Sequence, residues 1–230
     1  MVPIVRHLAA YGAFLFSLLT PAWADFQEGM EAYVRGDYAA ALKEFRTLAD
    51  QGMPTAQYML GSMYLTQTGV AQDYKEAAKW FRRAAGQGDA AAQFSLGTMY
   101  QEGQGVPQDY TEAVRCYRKA AEQGDDMAQV NLGLLYANGQ GVLRDPTEAI
   151  KWFRLAAEQG QPRALRALGL LYASGQGIKQ NLVLAYMWLS LGAAQGDMVS
   201  AKGLDLAAEE MTPSQIAEAK KLAGEWKPKK

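Results

Sequence analysis

Histidine and cysteine are nearly missing from this chain: its 230 residues include one of each, His7 and Cys116. A single cysteine excludes an intrachain disulfide framework. A single histidine excludes histidine-rich metal sites and leaves little for general base catalysis. An excess of charge of one sign is also lacking. Lys and Arg number 23 against 24 Asp and Glu, a net −1, so nothing points electrostatically to nucleic acid. Long apolar runs are absent too. Leu8 to Leu19 is 12 residues, short of the ~20 needed to span a bilayer.

That run belongs to a leader of distinct character. Arg6 and His7 give a basic start, Thr20-Pro21 breaks the apolar stretch, and Ala22-Trp23-Ala24 is an A-x-A cleavage pattern. Residues 1–24 are expected to be a secretory signal peptide removed after Ala24. The mature chain, Asp25 to Lys230, then has no histidine, 22 basic against 24 acidic residues (net −2) and no transmembrane segment. The expected location is the periplasm or the exterior.

What the chain does have is a period. Leu60-Gly61-Ser62-Met63-Tyr64 recurs as Leu96-Gly97-Thr98-Met99-Tyr100, Leu132-Gly133-Leu134-Leu135-Tyr136 and Leu168-Gly169-Leu170-Leu171-Tyr172, at steps of 36 residues. A fixed period of this length marks stacked helical repeats. In the copy from Asp89 to Gly124, Ala92, Leu96, Gly97 and Tyr100 make one apolar stripe, helix A. Tyr110 to Gln123 makes helix B. Four glycines inside helices A, each costing ~1 kcal/mol relative to alanine, imply close approach of a neighbouring helix. Asp73, Asp109, Asp145 and Asn181 read as N-caps of helices B; Glu76, Glu112 and Glu148 follow three residues after the aspartates, as in a capping box. Gly88, Gly124, Gly160 and Gly196 read as C-terminal caps. The turns Gly103-Gln104-Gly105-Val106, Gly139-Gln140-Gly141-Val142 and Gly175-Gln176-Gly177-Ile178 imitate a nucleotide loop, but they recur with the period and follow no strand, so they read as turns.

The Leu-Gly-x-x-Tyr, Gly-x-Gly-Val, Asp-Tyr-x-Glu-Ala, Trp-Phe-Arg-x-Ala-Ala and Gln-Gly-Asp motifs, in register from about Gly52 to Gly196, resemble the Sel-one-like repeat (SLR) family. The resemblance implies an all-α fold: a right-handed α-solenoid of stacked antiparallel helix pairs, related to tetratricopeptide repeats, with a C-terminal capping helix. The expected organisation is a tetratricopeptide-like cap over residues 25–52, repeats over 53–196, and a C-terminal cap with a basic tail over 197–230. It further implies adaptor or scaffold roles, which in secreted bacterial members lie in the envelope. A cysteine-rich subgroup is associated with penicillin binding and β-lactamase-like activity. This chain lacks that subgroup's disulfides, so an envelope enzyme acting on peptidoglycan or β-lactams stands only as the alternative.

No catalytic, cofactor or metal residues emerge. Cys116 occupies a helix B column otherwise held by Trp80, Trp152 and Trp188, and reads as packing. The basic columns Lys79, Arg115, Lys151 and Arg82, Arg118, Arg154 read as solvated faces supported by Glu76, Glu112 and Glu148. A protein or peptide partner is expected in a concave groove lined by helices A, on the side opposite the stripe. There the copies vary: Ser95, Thr98 and Glu102; Met127, Asn131, Leu134 and Asn138; Arg163, Leu170 and Ser174, with Arg166 beside Arg163 to take a carboxylate. Thr55, Met59, Ser62 and Thr66 are the corresponding residues of the first copy. The fourth helix B, Leu182 to Ala194, has no charge. It must be covered by the C-terminal segment or else dimerise the protein.

Overall fold

The computed structural model describes residues 21–228, so the leader through Thr20 lies outside the described residues. Those described form twelve α-helices and no strand. They are α1 (Pro21–Arg35), α2 (Tyr38–Asp50), α3 (Pro54–Thr66), α4 (Tyr74–Gly86), α5 (Ala90–Glu102), α6 (Tyr110–Glu122), α7 (Asp126–Asn138), α8 (Pro146–Glu158), α9 (Pro162–Ser174), α10 (Leu182–Ala194), α11 (Met198–Glu209) and α12 (Pro213–Glu225). From α1 to α11 each helix packs on its neighbours in sequence, and α12 packs on α10. Odd-numbered helices are helices A and even-numbered ones, through α10, are helices B. The result is the expected solenoid of stacked helix pairs.

Each helix A glycine receives a side chain from the helix B of its own pair. A Cβ built on Gly61 would lie 2.8 Å from Phe81; on Gly97, 2.8 Å from Tyr117; on Gly133, 2.5 Å from Phe153; on Gly169, 2.5 Å from Leu189. Gly29 meets Phe45 in the same way, at 2.9 Å. All five incoming side chains are buried, each contributing roughly 1.5–3 kcal/mol through removal of its apolar surface from water.

Successive pairs are joined by two polar ladders. Gln57, Gln93 and Gln129 are buried and donate to the carbonyls of Ala49, Ala85 and Ala121, at 3.0, 3.2 and 3.1 Å. Their side-chain oxygens accept from Gln87, Gln123 and Gln159, at 2.8, 2.8 and 3.0 Å. Buried amides are tolerable only when satisfied in this way. The second ladder runs from Arg46 to the Tyr64 hydroxyl, Arg82 to Tyr100 (3.3 Å), Arg118 to Tyr136 (2.5 Å) and Arg154 to Tyr172 (3.0 Å). The repeated tyrosine is therefore a hydrogen-bonding strut as well as apolar mass, and the arginine column is its partner.

In the turns the second glycine admits the preceding pair. A Cβ on Gly105 would lie 2.1 Å from the Tyr74 carbonyl oxygen, and one on Gly141 2.3 Å from that of Tyr110. Both glycines have positive φ, 68° and 70°, so these positions exclude side chains twice over.

Capping follows expectation in part. Asp73, Asp109 and Asp145 each accept from two backbone N–H groups of the first turn, and Asn181 accepts from Leu184. The capping box, however, does not close at Glu76, Glu112 and Glu148. The N-cap backbone N–H groups are already donated to the carbonyls of Tyr64, Tyr100 and Tyr136, at 3.1, 2.9 and 2.9 Å. The glutamates pair instead with Lys79, Arg115 and Lys151, at 3.1, 2.7 and 2.6 Å. Thr212 and Gln215 form the capping box that is present, at α12.

Helix α10 is covered by its own chain. All of its residues except Ala194 are buried or half-buried, with α9, α11 and α12 packed on it. Trp226 lies edge-on to Trp188 at 5.7 Å. The expected cover by the C-terminal segment is what the fold shows, and nothing in it calls for the alternative, dimerisation through this helix.

Alanine at Gly133 should destabilise the protein by about 1–3 kcal/mol, the cost of overpacking against Phe153. Alanine at Gly86, in the last turn of α4 with nothing within 4 Å of its Cβ, should stabilise it by up to about 1 kcal/mol. Urea melts of the two variants should move in opposite directions from wild type.

Candidate functional site

The variable side of helices A carries two depressions. The first, of about 620 Å³, is lined by Tyr33 and Val34 of α1, Tyr58, Met59 and Leu65 of α3, and Ser95 of α5. The second, of about 370 Å³, lies between α7 and α9 and is lined by Leu134, Asn138, Arg144, Leu170 and Ser174. Both are largely apolar, with a few polar groups at the rim, the usual composition of a binding concavity.

The residues expected from the sequence divide accordingly. Leu134, Asn138, Leu170 and Ser174 come together in the second depression, and Ser95 lines the first. Thr98 accepts a hydrogen bond from the Tyr117 hydroxyl at 3.1 Å, Gln101 accepts from it at 2.8 Å, and Asn131 also reaches it. Burial pushes the Tyr117 phenol up from its ordinary value, first among causes, so it stays a neutral donor. Glu102 is exposed at the end of α5. Met127 and Arg163 lie near the N-termini of α7 and α9, away from both depressions. The Met127 sulfur accepts from Gln161 at 3.2 Å, and Arg163 is exposed.

Two expectations change. Arg166 does take a carboxylate, but the chain's own: its Nη1 donates to Asp197 Oδ1 at 2.8 Å. Asp197 is the N-cap of α11 and accepts from the Ser200 hydroxyl at 2.6 Å and the Ser200 backbone N–H at 3.0 Å. Those bonds and the Arg166 charge hold its carboxyl below the usual range. The leucine column, meanwhile, is not wholly outward. Leu134 is half-buried against the C-terminal core cluster, and Leu170 lies 3.7 Å from a Cβ built on Gly203 of α11. Leu170 nevertheless remains 43% exposed.

The sequence reading missed parts of this face. Leu206 of α11 stands 36 residues after Leu170 and is 64% exposed, extending the column of Leu134 and Leu170 by one helix. Its signal was the period itself, obscured because Asp205 replaces the glycine. Tyr33 and Val34 were hidden because the first unit is shorter, with Gly29 only 32 residues before Gly61. Tyr117 could have been found as the one hydroxyl in the column Phe81, Tyr117, Phe153 and Leu189.

Burial lifts the Cys116 thiol above its ordinary value, the opposite of what a nucleophile needs. Among the described residues no group of three or more His, Cys, Asp or Glu side chains could hold a metal ion. No described helix is long and apolar enough to cross a membrane.

The Sel1 repeat model matches residues 54–89, 90–125, 126–161 and 162–197. No curated protein matches the chain. Among solved structures, a protective antigen of uropathogenic Escherichia coli strains displaying an SLR fold is 33% identical with a TM-score of 0.78, over 89% of this chain and 46% of that one. The present chain thus spans less than half of that antigen. A Sel1 repeat protein from Oxalobacter formigenes is 33% identical with a TM-score of 0.73, over 85% of this chain and 84% of that one. A putative Sel1 repeat protein from Klebsiella pneumoniae, at 22% identity and a TM-score of 0.52 over 81% and 93% of the two chains, shares the fold. The chain belongs to the Sel1 repeat family.

Replacing Arg166 by alanine should cost about 1 kcal/mol at neutral pH, because the pair is partly solvated. Asp197 has a depressed folded value, so its contribution is present above the usual carboxylate value of 3.8 and is lost as pH falls through the folded value. Melts at neutral and at acid pH should show the gap between wild type and Arg166→Ala closing on acidification.

Proposed function

We propose that this Sel1 repeat chain is a non-enzymatic scaffold of the bacterial envelope that holds a protein or peptide segment against the helix A face. Sel1 repeat proteins are generally protein-interaction scaffolds, and the chain carries four such repeats. The observation that carries the reading is the leucine column, Leu134, Leu170 and Leu206. Ser62 and Thr98 hold the same position in the first two repeats, so the fold accepts polar residues there. Partly exposed leucines at positions where other repeats carry polar residues, beside a depression of about 370 Å³, suit a partner's apolar side chains. Between the two depressions, Asn131, Thr98 and Gln101 around the Tyr117 hydroxyl supply acceptors and donors to a peptide backbone.

The test uses substitutions with precedent in the chain. Leu134→Ser, Leu170→Thr and Leu206→Ser together should lower partner capture from native envelope at least ~10-fold, since a few apolar anchors dominate such interfaces. The helical circular dichroism should be unchanged and the melting midpoint should fall only modestly, Leu134 being half-buried. Full capture by a folded variant would place the partner elsewhere.

The envelope assignment rests on the leader. In the described structure Pro21 to Ala24 begin α1, and Trp23 stacks on Phe26 at 5.5 Å. Cleavage after Ala24 removes that ring and leaves α1 starting at Asp25. Intact mass of the exported protein should correspond to residues 25–230; a retained Met1 would overturn the assignment.

A further inference from the structure

The helix B face carries a notch where one repeat departs from the others. Trp80, Trp152 and Trp188 each wedge an indole against the preceding pair of helices. At the same position α6 has Cys116. The shortfall leaves a depression of about 120 Å³ between α4, α5 and α6. Its floor is Cys116, Leu96 and Gln93, all buried. Its rim is Arg82, Arg115 and Lys119, all exposed. Gly86, which also lines it, stands where α2, α6 and α8, the helices beside the three tryptophans, have Asp50, Glu122 and Glu158. The notch is therefore wider than a tryptophan-to-cysteine change alone would make it, and it lacks the acid its counterparts carry.

We propose that this notch receives a tryptophan side chain from an acidic segment of a partner protein. The chain supplies its own template. The Trp80 indole lies under the Arg83 guanidinium at 4.6 Å and near the Lys79 ammonium at 5.9 Å. Lys119 and Arg115 hold those two register positions around Cys116. A ring entering the notch meets the same floor and the same cations, an arrangement worth more as it is desolvated. Arg82 donates to Tyr100 and Arg115 pairs with Glu112 at 2.7 Å, while Lys119 has no ion pair among the described residues. The rim thus keeps net positive charge for acidic flanks of the incoming segment. The site lies on the opposite layer from the helix A depressions and does not depend on them.

The capped peptide Glu-Trp-Glu titrated into the full chain by calorimetry tests this, with Glu-Ala-Glu and Lys-Trp-Lys as controls. Glu-Trp-Glu should bind, and both controls should bind at least ~10-fold more weakly. Cys116→Trp fills the notch with the chain's own indole; it should keep or raise the melting midpoint and weaken Glu-Trp-Glu at least ~10-fold. Lys119→Glu, on an exposed side chain, provides a second variant that should keep the wild-type circular dichroism and weaken it similarly. Binding unchanged in either folded variant, equal binding of the alanine control, or no binding to wild type overturns the proposal.

Discussion

The structure depends on one contact made five times: the bare backbone of a helix A glycine against a large side chain of its own helix B. Phe45, Phe81, Tyr117, Phe153 and Leu189 fill the space that a Cβ on Gly29, Gly61, Gly97, Gly133 and Gly169 would occupy. The contact sets how closely the two helices of a pair lie, and so where every other side chain of the pair falls. The ~1 kcal/mol of helix propensity lost at each glycine is offset by a buried ring or leucine worth roughly 1.5–3 kcal/mol. The balance favours the pair only because the packing is complete.

Contact within pairs would not by itself make a solenoid. Stacking is specified by groups that reach from one pair to the next: the glutamines on the carbonyls of Ala49, Ala85 and Ala121, the arginine–tyrosine ladder and the turn glycines against the carbonyls of Tyr74 and Tyr110. These are polar or backbone contacts with strict geometry. They fix register where apolar packing alone would tolerate sliding.

The helices and their order were legible in the sequence because period, caps and turns all point to the same boundaries. Partner choice among polar groups was not. Glu76 resembles the last residue of a capping box, yet the N–H it would accept from is taken by the Tyr64 carbonyl. Arg166 faces the side read as a groove, yet Asp197, 31 residues away, reaches it first. In both cases a distant residue competes for the same hydrogen bond, and a pattern along the chain does not record who wins. The leucine column was legible at Leu134 and Leu170 but not at Leu206, where the marker glycine is Asp205.

Repetition also separates what the fold needs from what it permits. All four repeats keep the helix A glycine, a large buried side chain facing it and the second turn glycine, while the glutamine holds in three and is Leu165 in the fourth. Where one repeat departs from the rest at a position that shapes a surface, the fold has been relieved of a constraint. Such departures occur on both layers. On helices A, leucine replaces serine and threonine and adds apolar surface beside a depression. On helices B, cysteine replaces tryptophan and glycine replaces an acid, opening a cationic notch. Leaving a buried wedge undersized forfeits packing energy that three other repeats retain. On the two proposals made above, one segment would be held on each layer, and tethering through both would raise effective affinity without any stronger single contact.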